Sequence, residues 1–298
     1  MAKDVANKRH LKKMNTIGFT RTHIPAGTPV PWSNSPLILD LQFVGSGGAF
    51  AERRGESNAV LCWQGRRCAL DMGRQWIERS PRFAGTRARD IDELVITHCH
   101  SDHIGSVARY VEQRRYIDRT LPKPRLVAHP TVRERLFERT IAGQLNGHER
   151  GVTAADFFEV APTEVIDGRR CRATILGGLQ IELFRTMHEP SDAVSWEDSE
   201  PCVGIYIPAF KLWLSGDTRN DPRLVGEYVG RGAEWYIHEV GWRNEVHTSW
   251  DEVQQQNGTK RQTLLLHSPD DLVDSDVRGA GFLGLVEPGD LLRYEMSI

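Results

Sequence analysis

The stretch Thr97-His98-Cys99-His100-Ser101-Asp102-His103 decides the fold of this chain. It places three imidazoles and a carboxylate within six residues, directly after the apolar run at residues 94–96. Imidazole and carboxylate together suit zinc, manganese or iron. A strand that ends here places His98 and His100 on one edge, because side chains alternate with a period of two. The apolar residues that follow have helical spacing, so the pattern predicts a strand end and a helix start that face one point.

Two simpler interpretations of this stretch compete with metal binding. Clustered histidines can form an exposed polar loop, and Asp102 can serve only as a helix N-cap. The H-x-H-x-D-H arrangement between a strand and an amphipathic helix favours metal binding over both. Its two sides could hold two metal ions close together.

The same pattern recurs at three later points of the chain. An apolar run at residues 181–184 leads to His188, a second at 212–214 leads to Asp217, and a third at 263–266 leads to His267. Strands of one layered fold that end at one edge deliver their side chains to a common site. Four such endings, each with a metal-capable residue, predict a metal site at the strand ends.

Composition restricts the class of protein. The chain has 298 residues, of which 39% are hydrophobic and 26% charged, and its net charge of -2 gives no argument for nucleic acid. The five cysteines lack a C-x-x-C pair, which fits a reducing compartment without a disulfide framework. No apolar run reaches the length of a membrane span, and the basic N-terminus lacks the apolar segment of a secretory signal. We therefore predict a cytoplasmic protein that does not enter membranes.

The chain divides into two parts in this interpretation. Residues 1–36 are basic and then rich in proline, and we interpret them as an extension outside the fold. A single domain is predicted over residues 37–298, ending in an edge strand. Its first strand leads into Gly45-Ser46-Gly47-Gly48, where glycines permit close approach of the backbone to a ligand. A plain tight turn is the alternative for that glycine cluster.

These motifs resemble the metallo-β-lactamase superfamily. The resemblance implies an α/β fold built as a four-layer αββα sandwich, with two divalent metal ions that are zinc or, alternatively, manganese. It also implies the ligands, which are His98, His100 and His188 at one ion, Asp102, His103 and His267 at the other, and Asp217 as the bridge.

Asp71, at the end of a hairpin strand, resembles the first conserved acid of the superfamily. That acid orients a metal ligand and does not bind metal, as outer carboxylates commonly do for imidazoles. A turn aspartate is the alternative interpretation of Asp71.

Further passages resemble the tRNA 3′-processing ribonuclease (RNase Z) branch and related phosphodiesterases. Residues 43–50 resemble the opening of that branch, and Gly47, Gly48 and Arg54 are the predicted substrate contacts. The pairs His238-Glu239 and His247-Thr248 resemble motifs in which the second histidine donates a proton to the leaving oxygen. Alternatively, His247 is a surface residue beside a helix cap, since Ser249 opens a capping box.

The leading hypothesis is a dinuclear metal phosphodiesterase that hydrolyses a cyclic nucleotide or a similar small phosphodiester. A metal-activated hydroxide would attack, His247 held by Glu239 would be the general acid, and Asp102 would serve both metal binding and catalysis. One alternative is a tRNA 3′-processing endonuclease whose basic N-terminus contacts RNA, although no Gly-Pro-rich lysine arm is present. Another is a lactonase or β-lactamase. A structural metal module is disfavoured, because closed structural sites normally carry four Cys or His ligands. By analogy with RNase Z, a homodimer is expected.

Overall fold

The computed structural model describes residues 16–145, 151–242, 245–256 and 258–297, without the side chains of residues 137 and 138. Within these ranges the chain forms two mixed sheets of eight strands each. The strands, in chain order, are β1 (Ile17–His23), β2 (Ile38–Gly45), β3 (Asn58–Trp63), β4 (Arg66–Leu70), β5 (Glu93–Val95), β6 (Arg125–Val127), β7 (Glu159–Val160), β8 (Thr163–Val165), β9 (Arg170–Ile175), β10 (Leu179–Thr186), β11 (Cys202–Ile207), β12 (Leu212–Leu214), β13 (Trp235–Glu239), β14 (Thr263–Leu266), β15 (Gly284–Leu285) and β16 (Asp290–Met296).

Each sheet combines antiparallel and parallel pairing. The first has the order β1-β16-β2-β3-β4-β5-β6-β7, and the second has the order β15-β14-β13-β12-β11-β10-β9-β8. Pairing is parallel from β4 to β7 and from β12 to β15. β10 and β12 are both antiparallel to β11, so β10, β12, β13 and β14 all run in one direction. Their carboxyl ends therefore meet at one edge of the second sheet.

Short helices connect the strands, because parallel strands require crossover connections. The α-helices in the described ranges are α1 (Trp76–Phe83), α2 (Ser101–Ile104), α3 (Val107–Glu112), α4 (Pro130–Leu136), α5 (Ala142–Leu145), α6 (Ala154–Phe157), α7 (Pro222–Gly230), α8 (Trp250–Gln254) and α9 (Asp274–Gly279). None of these helices has the length and apolar character that crossing a bilayer requires.

Consecutive residues on strands of the second sheet face opposite sides, one toward the first sheet and one toward the helices. Leu183 of β10 lies in the main core, which also holds residues of the first sheet, whereas Phe184 packs outward against Tyr228 of α7. Leu264 of β14 likewise belongs to the main core, and the next residue, Leu265, packs outward near α8 and α9. Alternation of side chains along a strand thus buries both faces of the sheet. The predicted α/β sandwich of αββα type is confirmed.

The N-terminal strand changes the outline predicted from sequence. β1 pairs antiparallel with β16 from Ile17 to His23, so these residues belong to the first sheet although they precede residue 37. β16 lies between β1 and β2 and is not the edge strand that the sequence predicts. The sequence of β1 is polar and partly exposed, so its pattern does not indicate a strand. Its pairing partner, β16, lies at the other end of the chain. Residues 1–15 of the predicted extension lie outside the described residues.

Candidate metal centre

The strand ends that carry the predicted metal ligands, called donors below, converge at one place between the sheets. β10, β12 and β14 lead to His188, Asp217 and His267, and β5 of the first sheet leads to His98. Their donor atoms, with those of neighbouring residues, form four overlapping groups in each of which all atoms lie within 4.8 Å of one another, and two of these groups together contain all seven predicted ligands. The four endings that the sequence singles out therefore face a common site.

The first donor group consists of three histidines. Nδ1 of His100 lies 3.0 Å from Nε2 of His98 and 3.3 Å from Nε2 of His188. The other ring nitrogen of His188 donates a hydrogen bond of 2.7 Å to the carbonyl of Val246, which fixes the ring so that Nε2 faces the site. Three imidazole nitrogens arranged in this way suit a borderline metal such as zinc.

The second donor group combines Asp102, His103, Asp217 and His267. Asp217 is its centre, because Oδ2 lies 3.3 Å from Nε2 of His267 and 3.4 Å from Nε2 of His103. The same oxygen lies 3.7 Å from Nε2 of His98 and 4.0 Å from Nε2 of His188 in the first group. One carboxylate oxygen thus reaches both groups, as a bridging ligand must.

The second group has polar atoms that a metal ion would satisfy. Nε2 of His103 is buried without a hydrogen-bond partner, although it lies 3.3 Å from Oδ2 of Asp102. Within the described part of the chain, no lysine or arginine forms an ion pair with Asp102 or Asp217. Buried carboxylates are costly unless they are compensated. A metal ion would satisfy both the orphaned nitrogen and the two carboxylates.

The pKa values of these groups follow from burial and from their neighbours. Burial lowers the pKa of His98 well below its usual value, so its imidazole is in the neutral form that binds metal. Burial alone would raise the pKa of Asp217, but the imidazoles of His267 and His103 hold it well below its usual range. Burial opposes a charge on His103, yet the carboxylates of Asp217 and Asp102 raise its pKa well above normal.

Asp71 lies behind the donors, where the sequence predicts it. Its Oδ2 accepts a hydrogen bond of 2.7 Å from Nδ1 of His103, which turns Nε2 of that ring toward the site. The backbone N–H and the hydroxyl of Thr97 donate to the same carboxylate at 2.8 and 2.7 Å. Asp71 and His267 both have positive φ, 60° and 57°, a conformation that non-glycine residues adopt at a cost and that concentrates at functional sites.

Glycine at position 73 allows the helix that carries Asp102 and His103 to approach. A Cβ there would lie 2.0 Å from the carbonyl oxygen of Asp102, so only glycine fits. The backbone N–H of Met72 also donates to the carbonyl of His103 at 2.7 Å. These contacts bind α2 to the end of β4 and place its two donors against the strand-end donors.

Glu189 lies beside the first donor group, although the sequence pattern did not single it out from the acidic residues that follow His188. Its Oε2 lies 3.3 Å from Nε2 of His100, the ring nitrogen that faces away from the first donor group. The carboxylate is 43% exposed, in contrast to the buried Asp71. Its position directly after His188 is the only sequence clue, and the contact with His100 arises from the fold.

His247 and Glu239 form a hydrogen-bonded pair beside the donors. Nδ1 of His247 donates to Oε2 of Glu239 at 2.7 Å, and backbone N–H groups of Thr218 and Thr248 hold Oε1 of that carboxylate. The His247 ring lies 4.8 Å from the ring of His267. Burial disfavours protonation of His247, but Glu239 raises its pKa to about 9. The capping box of Ser249 opens α8 just after this pair, as predicted.

A cavity of about 720 Å³ opens over the metal-capable side chains. Of the three predicted substrate contacts, one lines this cavity and two do not. Gly48 lines it, and a Cβ there would lie 3.2 Å from Cε1 of His267. Gly47 instead pairs with the backbone of Ser268 behind the lining.

Arg54 does not reach the substrate cavity, contrary to the prediction. It is 2% exposed and donates to Oε1 of Glu287 at 3.0 and 3.1 Å and to backbone carbonyls after His267. A carboxylate 233 residues away in sequence therefore occupies this guanidinium. Arg54 stabilises the loop that follows His267.

The chain has the metallo-β-lactamase fold, with two groups of metal-capable side chains at its strand ends. Solved structures with this fold include YhfI from Bacillus subtilis, at a TM-score of 0.59 and 14% identity over 85% of this chain and 98% of that one. A diphosphatase of the PhnP family aligns at a TM-score of 0.62 and 16% identity, over 88% of this chain and 99% of that one. The chain belongs to the Anti-Pycsar protein Apyc1 family, whose sequence model matches residues 39–292.

Two relatives carry the same family name. The Anti-Pycsar protein Apyc1 of Paenibacillus sp. (strain J14) is 29% identical over 248 residues, which cover 82% of this chain and 94% of the relative. The protein of that name from Bacillus phage BSP38 is 25% identical over 249 residues, which cover 78% of this chain and 90% of the relative. The similarity therefore extends over most of the domain and is not limited to the donor motifs.

Proposed function

We propose that this protein is a dinuclear metal phosphodiesterase that hydrolyses a cyclic nucleotide or a closely similar small phosphodiester. The observation that carries the proposal is the His247–Glu239 pair, joined at 2.7 Å beside both donor groups. Hydrolysis of a phosphodiester at neutral pH requires an acid for the departing alkoxide. A protonated imidazole that a carboxylate holds beside the reacting centre meets that requirement.

In the proposed site, His98, His100 and His188 would hold one ion, and Asp102, His103 and His267 would hold the other, with Asp217 within reach of both donor groups. When bound, two divalent ions supply a water of lowered pKa and neutralise charge on phosphate oxygens.

The remaining chemistry belongs to the chain itself. Asp71 keeps the ring of His103 in one orientation, and Glu239 does the same for His247. The attacking water first releases one proton to solvent. As its oxygen bonds to phosphorus, the bond from phosphorus to the ribose oxygen breaks, and that oxygen takes the proton of His247, which is then reprotonated from solvent. With a cyclic substrate the ring opens and a nucleoside monophosphate leaves. General acid catalysis of this kind contributes about 10²–10⁴-fold.

The size of the cavity favours a small substrate over tRNA. At about 720 Å³ it falls in the range of pockets that enclose small ligands. Zinc is the proposed metal and manganese the alternative, because the donors are imidazole and carboxylate without thiolate. A homodimer and a cytoplasmic location complete the proposal. The free thiols of all five cysteines support a reducing compartment.

A substrate panel tests this function. The protein, loaded with zinc or manganese, is incubated with 3′,5′- and 2′,3′-cyclic nucleotides, bis-p-nitrophenyl phosphate, a precursor tRNA and nitrocefin. We expect turnover of the cyclic nucleotides. Turnover of nitrocefin alone would refute the phosphodiester chemistry, and specific cleavage of the tRNA alone would identify an RNase Z activity.

His247→Ala tests the role of the imidazole. We expect kcat for a cyclic nucleotide to fall by about 10²–10⁴-fold, because no acid remains for the leaving oxygen. Metal content, measured by atomic absorption, should stay at the parent level. The donor atoms of His247 also lie close enough to Asp217 and His188 to hold a metal. Loss of an ion in this variant would therefore show that His247 is a ligand instead of an acid.

A further inference from the structure

Two exposed aromatic side chains line the cavity over the donors. Nine large hydrophobic side chains are exposed in the described ranges, and just two of them are aromatic, Phe50 at 95% and Trp242 at 42% exposure. Both belong to the lining of this cavity, with His247 and His267 at its base. Single exposed hydrophobic residues need no explanation, but two exposed rings at one functional cavity indicate a binding surface.

One loop forms hydrogen bonds with the segments that contain Phe50 and Trp242. It follows His267 directly and contains Asp270 and Asp271. The carboxylate of Asp270 accepts hydrogen bonds from the backbone N–H groups of Glu52 and Arg53, at 2.7 and 2.9 Å, just after Phe50. The carboxylate of Asp271 accepts from the indole N–H of Trp242. The Trp242 ring and the backbone just after Phe50 are thus held by the loop that follows a donor histidine.

We propose that Phe50 and Trp242 form a stacking subsite for the nucleobase of the substrate, a step that rests on the proposed phosphodiesterase function. A nucleotide has a charged phosphodiester and a planar, poorly hydrated base. The phosphodiester belongs at the donor groups, and the base then needs an apolar surface within the same cavity. Aromatic side chains provide it, and stacking accepts every base because each has a π-face. This subsite selects for the presence of a base and only weakly for its identity.

The test compares substrates with and without a base. The parent and the variants Phe50→Ala and Trp242→Ala are assayed with a 3′,5′-cyclic nucleotide and with methyl ribofuranoside 3′,5′-cyclic phosphate, which lacks the base. For the nucleotide we expect each variant to raise KM by about 5- to 150-fold, the range of base stacking on one aromatic side chain. For the baseless ester, KM should not change, and kcat should stay near the parent value for both substrates.

Conservative and distant variants serve as controls. Phe50→Tyr and Trp242→Phe keep a ring and should retain most of the parent affinity, whereas Phe50→Leu keeps only apolar bulk and should not. Val194→Ala changes a side chain that is 86% exposed and lies outside the cavity lining, and it should have no effect.

The outcomes separate this inference from the proposed function. If the parent hydrolyses cyclic nucleotides and the alanine variants keep its KM, the subsite is refuted and the phosphodiesterase stands. Equal losses with the baseless ester would also refute the subsite, since the rings would then shape the site as a whole. If the parent hydrolyses no phosphodiester, the proposed function fails. Calorimetric titration with a nucleoside monophosphate then decides the inference, and equal affinities of parent and variants refute it.

Discussion

Two carboxylates of the second sheet are buried to the same extent and surrounded very differently. Glu182 of β10 and Asp217 after β12 are each 3% exposed. Both oxygens of Glu182 accept from the guanidinium of Arg231, at 2.6 and 2.7 Å, and the Tyr228 hydroxyl donates to it at 2.6 Å. Asp217 has imidazoles around it and, within the described ranges, no lysine or arginine.

The difference distinguishes a structural charge from a functional one. A buried charge is expensive unless a partner compensates it. Arg231 is a permanent cation, so Glu182 is satisfied by the chain and has nothing left to bind. The imidazoles around Asp217 carry a charge only while they are protonated, and a metal ion can replace those protons. Asp217, unlike Glu182, is therefore placed to bind a cation from solution. By the same reasoning Arg54, whose guanidinium meets Glu287, is a structural residue.

The largest expected effect comes from removing the carboxylate that lacks a permanent cation. Asp217→Ala deletes the carboxylate whose oxygen reaches both groups, so we expect metal content to fall and phosphodiester hydrolysis to drop by at least about 10³-fold, the loss of several kcal/mol of charge stabilisation. Atomic absorption and a cyclic-nucleotide assay measure the two effects. Two ions per chain in this variant would contradict the bridging role.

Breaking the compensated pair should affect stability and not catalysis. Arg231→Met leaves the carboxylate of Glu182 with Tyr228 alone, and we expect the free energy of unfolding to fall by about 3 kcal/mol. That value is at the low end for a buried pair because Arg231 is 32% exposed. Urea unfolding measures it, and kcat/KM of the metal-loaded enzyme should not change.

A surface pair provides the matched control. Arg172 and Glu164 are 44% and 70% exposed, so Arg172→Met should cost less than about 1 kcal/mol. Equal destabilisation by the two substitutions would show that burial does not distinguish the pairs.

Asp71→Asn should weaken metal binding without abolishing it. The hydrogen bond from His103 Nδ1 orients that ring, and loss of such a partner typically costs about 10- to 100-fold in metal affinity. Competition with a fluorescent chelator measures the affinity. Glu189→Gln makes the same change at a carboxylate that is half-exposed and faces His100, and it should cost less. An Asp71→Asn protein with parent affinity would refute the orienting role.

The last expected effect concerns pH and a histidine outside the metal centre. Burial, with help from the nearby Arg185, lowers the pKa of His129 from 6.5 to about 4. The unfolded chain therefore binds this proton first, so the stability contribution is complete above pH 6.5 and is lost as the pH falls toward 4. His129→Asn should reduce the loss of unfolding free energy between pH 7 and pH 4.5 by about 1–3 kcal/mol. Identical pH dependence in urea unfolding would contradict this assignment.

How much of the site could be predicted depends on where each signal lies in the chain. The donors each follow an apolar run, and strand ends of one fold share an edge, so local pattern was enough to bring His98, His188, Asp217 and His267 together. The resemblance to a known superfamily added Asp71 and His247. The aromatic pair had no local signal, and Glu189 had only its position directly after His188, because their roles arise from contacts that no periodicity encodes.

By itself the sequence determined the strand-end donors, and its resemblance to a known superfamily implied the αββα class and the pairing of His247 with Glu239. The donors follow from alternation, from helical spacing and from short motifs, all of which involve residues close in the chain. Only the tertiary structure decided that β1 pairs with β16 from the far end of the chain, that Glu287 occupies Arg54, and that Phe50 and Trp242 line one cavity. Burial and charge compensation are set by residues far apart in sequence, and only the folded chain brings those residues within contact distance.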